Sequence, residues 1–484
     1  MDDLIFLVLL ILYLLFLSLI LLVINKRKRP VVTLAWIMAI IFLPFLGAIL
    51  FLVFGTERIV NRGRLKLSSN DFLKRRLNEI EEQWTTDLFS GHRHGQSEYF
   101  LENITRISEK YSFFKVVGHN QVELEVDADA GYPAMEEAIA GARSHINLEF
   151  YIFRTDEVGR RFQRLLIEQA KKGVIVNFLY DSFGSMNLNW NHKFLAELRS
   201  AGVKVRKFLP INQFLRPWNI NLRNHRKLLV VDNSVGFTGS LNIGADFVSK
   251  KDTKFGKWRE TMVKIEGPAV SQLQWIFCED WYFATGEELI SPMYFRITEP
   301  RGDALLQIVA SGPDVREKAI FKIFLMAIYQ AKDYIFLTTP YFIPDRSLLL
   351  ALQLAAYRGV DVRILVPRKS DHTFVLLAGR SYYEDLMETD VKIYEYTAGF
   401  LHAKMLVVDD YLTVIGSANA DIRSFDFDFE INAQIYGKKE AKKAAEIFRK
   451  DLDESELLRL PDFQYRPISE KMVENFCRLL SPLL

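Results

Sequence analysis

The sequence is poor in the residues that announce several common chemistries. Its 484 residues hold only two cysteines, Cys278 and Cys477, about 200 positions apart, too few and too distant for a disulfide framework or a thiolate metal cluster. No His, Asp and Glu set stands at metal-ligand spacing, so no metal or other cofactor is expected. With 25 Gly, 15 Pro and 49% hydrophobic residues, collagen-like, low-complexity and disordered classes are excluded. At about 150 residues per domain the length suggests roughly three units, enough for a large buried core. Surplus charge is also scarce: the net is +2, and residues 1–76 hold eleven Lys/Arg against four acids. The body beyond them is therefore mildly acidic, and nucleic acid, which rewards clustered Lys/Arg, is not an expected partner.

What the sequence does have at its start is apolar length. Leu4 to Ile24 and Val31 to Thr56 contain no charged residue. The first stretch would reach about 31 Å as a helix, enough to cross a hydrocarbon core. Its leader, Met1-Asp2-Asp3, is acidic and no small-residue cleavage site follows, so it is read as retained. Lys26-Arg27-Lys28-Arg29-Pro30 would join two membrane-crossing helices, about 4–24 and 31–54, the second tilted or kinked at Pro44 and Gly47, with both ends on one side of a cell membrane. Residues 58–80 place Ile59, Leu65, Phe72, Leu73 and Leu77 among basic residues and read as a segment that touches anionic headgroups.

The rest of the chain is duplicated. Ile146 to Ile152, a helical stretch and Gly173 to Leu179 are echoed by Tyr334 to Tyr341, a helical stretch and Gly359 to Val366. This alternation predicts βαβ units with a mostly parallel sheet in each half. Each half then reaches an apolar run opened by His and closed by Asp: His225, Lys227 and Asp232 in one, His402, Lys404 and Asp409 in the other. A second strand follows, then Gly239-Ser240-Leu241-Asn242 and Gly416-Ser417-Ala418-Asn419.

On a strand, His and Lys two apart share a face, whereas Asp at the seventh place has opposite parity and falls where the chain must turn. That spacing makes Asp a brace or turn former and leaves His, Lys, Ser and Asn as the reacting face. Two such faces suit a phosphodiester. Two lysines with the Ser240, Asn242, Ser417 and Asn419 donors can hold its non-bridging oxygens. One neutral imidazole can attack phosphorus, while the other, protonated, serves the leaving and entering oxygens. The other six histidines (His92, His94, His119, His145, His192, His372) are expected to be bystanders. The aromatic runs Phe214 to Trp218 and Trp275 to Phe283 are expected in the core.

The two motifs His225/Lys227/Asp232 and His402/Lys404/Asp409 resemble the paired HxKxxxxD signatures of the phospholipase D superfamily. Across nearly the whole chain the sequence is similar to bacterial cardiolipin synthases, notably at Phe42 to Gly47, Tyr341 to Asp345, Gly416 to Phe425 and Cys477 to Leu484. The resemblance implies an α/β fold of two similar halves with the active site at their interface, preceded by a two-helix transmembrane hairpin. The expected boundaries are 1–56 for the hairpin, 57–110 for a basic linker, 111–290 for the first half and 291–484 for the second. It further implies a catalytic set comprising all six motif residues, Asp232 and Asp409 included. Glu260 and Glu430 are the implied acids that orient the histidine rings at a substrate-binding site shared with the Ser and Asn donors. Relatives usually have Asp where Glu260 stands.

The implied reaction joins two phosphatidylglycerols into cardiolipin, with His225 as nucleophile and His402 as acid and base. Expected partners are thus phosphatidylglycerol and other lipids of a bacterial membrane; the sequence does not set the oligomeric state, for which a homodimer is the candidate. A hydrolytic phospholipase D, with water as acceptor, is the alternative. A membrane-tethered nuclease would need a basic groove, which the acidic body disfavours, and a dead scaffold would not keep both motifs.

Overall fold

The computed structural model describes residues 15–25, 30–54, 96–210, 222–248, 256–289, 291–296, 299–313, 318–479 and 481. The basic segment 58–80, residues 4–14 of the first apolar stretch, the aromatic run 214–218 and the last three residues lie outside them. By contacts the chain falls into an N-terminal unit, residues 1–61 with 211–222, and a body made of the remainder.

In the N-terminal unit residues 15–25 are helical. Where one helix over 31–54 was expected, there are two, Pro30–Phe42 and Pro44–Phe54. Proline has no N–H and a ring that clashes with the preceding turn, so the helix is interrupted before Pro44 and restarts at it. Among the described residues no helix is long and apolar enough to cross a membrane.

The body is built twice from one plan. In the first half the strands run in the order 117–126, 261–266, 235–239, 227–231, 145–150, 175–181, 204–208. In the second the order is 304–311, 428–436, 412–416, 405–408, 334–338, 361–367, 392–396, closed by 455–457. Strands Val117–Val126 and Ala304–Ser311 pair antiparallel and fuse the two into one sheet. Only three neighbouring strands per half are mutually parallel, so the sheet is mixed rather than mostly parallel. The reason is the turn after each His–Lys strand. Asp232 and Asn233 take left-handed φ values of 54° and 54°, and Asp409 takes 50°, which reverses the chain into an antiparallel hairpin.

Helices complete the layers. Glu157–Lys171 starts at Asp156, whose carboxylate accepts from the amides of Val158 and Gly159, and it buries Phe162 and Leu166. Its counterpart Arg346–Tyr357 starts at Asp345, which caps the amide of Leu348. Trp275, Phe277 and Trp281 are buried as expected. The expected boundary at 110 cuts a helix, Gln96–Tyr111. Its Ile104 belongs to the second half's apolar core, and its Ser108 Oγ reaches Gln434 Oε1 at 3.1 Å.

Asp232 and Asp409 occupy the far ends of their strands, five residues beyond Lys227 and Lys404, or about 16 Å at roughly 3.3 Å per residue. Asp232 accepts from the amides of Arg143, Ser144 and His145 at 2.8, 2.8 and 2.9 Å. Asp409 accepts from Lys332, Asp333 and Tyr334 at 3.1, 2.9 and 2.9 Å. Each acid ties the hairpin turn to the start of the neighbouring strand. In this geometry both acids brace the sheet at its turns, the role that their strand parity suggests. Asp409→Ala should therefore lower unfolding free energy by about 2 kcal/mol, because three amides lose their acceptor. Turnover below the unfolding transition should change by less than about tenfold. Denaturant titration alongside initial rates checks this, and a catalytic collapse in a fully folded protein would contradict it.

Candidate active site

Each histidine is delivered by a short strand that pairs with the opposite half. Arg223–Asn224 runs parallel to Asp428–Phe429, and the His225 amide donates to the Phe429 carbonyl at 2.9 Å. In mirror fashion Gly399–Leu401 pairs with Lys257–Arg259, and the His402 amide donates to the Arg259 carbonyl at 2.9 Å. The side chains cross over as well. His225 Nδ1 lies 3.0 Å from Glu430 Oε1, and His402 Nδ1 lies 2.7 Å from Glu260 Oε1. A carboxylate at Nδ1 fixes the Nδ1–H tautomer and leaves Nε2 pointing away, free to react.

The lysines fold back beside their histidines. Lys227 Nζ donates to the His225 carbonyl at 2.7 Å and Lys404 Nζ to the His402 carbonyl at 2.6 Å. All four side chains are buried, with Lys227 at 0% exposure. Burial pushes His225 down to about 4, against the pull of Glu430 and with the help of Lys227 and Lys404. Burial also lowers His402, opposed by Glu260. Lys227 is pushed down to about 7, first by burial and then by Lys404, and burial takes Lys404 down to about 8. Burial would raise Glu260 and Glu430, yet the adjacent histidines and lysines hold both below the usual carboxylate range.

The remaining predicted residues sit behind this layer. Ser417 Oγ donates to Glu430, and Ser240 Oγ accepts from the Thr261 amide at 2.9 Å. Glu260, Glu430, Ser240 and Ser417 are fully buried. The contacts they make are to the imidazoles and to the strands that carry them. Asn242 Oδ1 accepts from the Ile152 amide at 3.1 Å, while Asn419 Oδ1 has no hydrogen-bond partner among the described residues. His145, expected as a bystander, is a core residue against Gln274.

Several neighbours were not anticipated. The Tyr151 ring meets His225 edge-on at 4.9 Å, with Lys227 Nζ 5.4 Å from its centroid. Tyr341 stands 6.4 Å from His402 and donates to Asp371 at 2.7 Å. The signal was present in the repeat, since both quoted first strands end near a tyrosine. The flanks also differ between the halves. Arg223 is paired in register with Asp428 beside His225, whereas the matching slot beside His402 holds Trp258 paired with Phe400. The Trp258 ring lies 4.5 Å from Phe400 and 5.4 Å from His402.

Comparison with known proteins agrees with this picture. Residues 135–281 and 324–452 match the family described as "Cardiolipin synthase, PLD-like domain", and residues 9–55 match "Phospholipase_D-nuclease N-terminal". A cardiolipin synthase of Halalkalibacterium halodurans is 38% identical over 468 residues, covering 95% of this chain and 90% of that protein. Cardiolipin synthase 2 of Bacillus anthracis is 36% identical over 465 residues, with 95% and 88% covered. Among solved structures, the phosphatidylserine synthase of Haemophilus influenzae Rd KW20 superposes with a TM-score of 0.61 at 14% identity. That match covers 81% of this chain and 100% of the other, and it speaks for the fold.

The two lowered lysines give a measurable consequence. An anion between them favours their charged forms, so binding above pH 7 should draw in protons and weaken as pH rises. At pH 8, a soluble diester such as dimethyl phosphate, which titrates far below this range, should bind with uptake of about one proton. Calorimetry in buffers of differing ionisation enthalpy reads that number. Lys227→Arg, whose guanidinium stays charged, should reduce it, and an uptake of zero in the parent protein would refute the assignment.

Proposed function

Because the chain belongs to the cardiolipin synthases with phospholipase D-like domains, we propose that it joins two phosphatidylglycerols into cardiolipin and free glycerol. The observation that carries this reading is the crossed geometry. Two imidazoles, each oriented by a carboxylate of the other half, share one site with two buried lysines.

In the first step His225 Nε2, its Nδ1–H held by Glu430, attacks phosphorus of one phosphatidylglycerol. The phosphorus–oxygen bond to the headgroup glycerol breaks, and His402 Nε2 gives its proton to the departing alkoxide. Lys227 and Lys404 hold the non-bridging oxygens as charge develops on them. In the second step His402 takes the proton from a headgroup hydroxyl of the second phosphatidylglycerol. That oxygen attacks phosphorus, the phosphorus–nitrogen bond breaks, and His225 is restored with cardiolipin formed. Glu260 keeps the His402 ring aimed through both steps. The N-terminal apolar segment keeps the enzyme at the cell membrane, where both substrates reside.

Lipid mass spectrometry of purified protein with phosphatidylglycerol micelles in chelator tests this. Cardiolipin and glycerol should appear in equal amounts, and His225→Ala and His402→Ala should each lose at least about 10³-fold in rate. Phosphatidic acid without cardiolipin would make water the acceptor and overturn the transferase. A phosphoryl adduct trapped on His402 would exchange the roles of the two histidines.

A further inference from the structure

The helices Pro30–Phe42 and Pro44–Phe54 do not merely kink; the second folds back along the first. The Trp36 and Phe51 rings meet edge-on at 5.5 Å. A Cβ on Gly47 would stand 2.3 Å from the Ala39 carbonyl oxygen. Residues 39 and 47, and 36 and 51, thus lie level with each other, as in an antiparallel pair whose tip is Leu43. A continuous helix would hold residues 36 and 51 about 22 Å apart. Glycine at the crossing is what permits such close backbone approach in an apolar medium.

Two helical hydrogen bonds bracket the tip: the Leu43 amide donates to Ala39 at 2.9 Å and the Gly47 amide donates to Leu43 at 2.6 Å. Such internal pairing lowers the cost of placing backbone in hydrocarbon. Around this pair the outer surface carries no charge and presents Leu34, Met38, Phe42, Phe45, Ile49 and Leu52. The unit itself buries little more than Val23, Ile40 and Phe51. No charged residue occurs from Val31 to Thr56, while Lys26 to Arg29 precede the pair and Arg58, Arg62, Arg64 and Lys66 follow it. Both open ends therefore carry the cations that anionic headgroups attract.

We propose that residues 30–54 sit in the bilayer as a re-entrant hairpin, embedded in lipid acyl chains and entering and leaving through one face. This rests on the membrane placement argued above and departs from the two-crossing arrangement expected from sequence. Each arm is about 16–20 Å long at 1.5 Å per residue, past the middle of a roughly 30 Å core but short of its far side. The basic residues on either side of the hairpin consequently face the same headgroups.

Cysteine labelling of the full chain in sealed vesicles of both orientations tests this, with Cys278→Ser and Cys477→Ser as background and cardiolipin formation confirming each variant. Lys28→Cys and Arg62→Cys should react with a membrane-impermeant maleimide from the same side, and Phe45→Cys from neither. Arg29→Cys and Arg64→Cys provide a second pair should the first fail to accumulate. Flanks labelled from opposite sides would overturn the hairpin while leaving membrane attachment intact. Labelling of Phe45→Cys in intact vesicles would overturn the membrane placement itself, and with it the hairpin.

Discussion

The arrangement on which the rest of the body depends is the exchange of carboxylates between its halves. Glu430 holds His225 and Glu260 holds His402, so neither half contains an oriented imidazole alone. Both ring nitrogens of each histidine are thereby assigned, one to the partner half and one to the site. The short ladders Arg223–Asn224 with Asp428–Phe429 and Gly399–Leu401 with Lys257–Arg259 exist to make that exchange possible. They bring each histidine to the edge of a strand that belongs to the other repeat. The fused sheet then fixes the distance between the two edges, since Val117–Val126 and Ala304–Ser311 hold the halves in register.

The duplicated site is not fully symmetric. In the proposed double displacement one imidazole is neutral and the other charged, which a coupled pair sharing one proton already allows; the flanks add a difference between the two. The residues two places before each histidine, and two before each glutamate, differ in character between the repeats. One slot has Arg223 against Asp428 and the other has Phe400 against Trp258. Around His225 the neighbourhood is ionic and includes Arg423, which pairs with Asp428 at 3.2 Å. Around His402 it is aromatic. The histidines, lysines and glutamates are thus arranged symmetrically, and the difference between the two halves of the site lies in the residues just outside them.

Much of this was legible in the chain because duplication doubles every weak signal. A single His-x-Lys on a strand says little, but two in one register with a Gly-Ser-x-Asn after each define strand, return strand and face together. The parity of Asp232 and Asp409 likewise marked them as turn residues, which their amide contacts match. Three things were not legible. The sheet is more antiparallel than the βαβ alternation suggested, because a turn's φ values are set by tertiary pairing as much as by residue type. The glutamates' exchange between halves is a long-range fact that no local spacing encodes. And in the second apolar stretch Pro44 and Gly47 signal a kink, but hydropathy, which counts apolar length, does not show that the bend at Leu43 is a fold-back.

The lysines set the electrostatic logic of the centre. Lys227 and Lys404 are both buried; burial lowers both, and Lys404 lowers Lys227 further. The two glutamates that hold the histidines also favour the charged forms of both lysines from behind the reacting face. A phosphodiester placed between the two ammonium groups would favour those charged forms from in front. In the proposed reaction the cations would then be strongest with phosphorus in place, when charge on the non-bridging oxygens has to be stabilised.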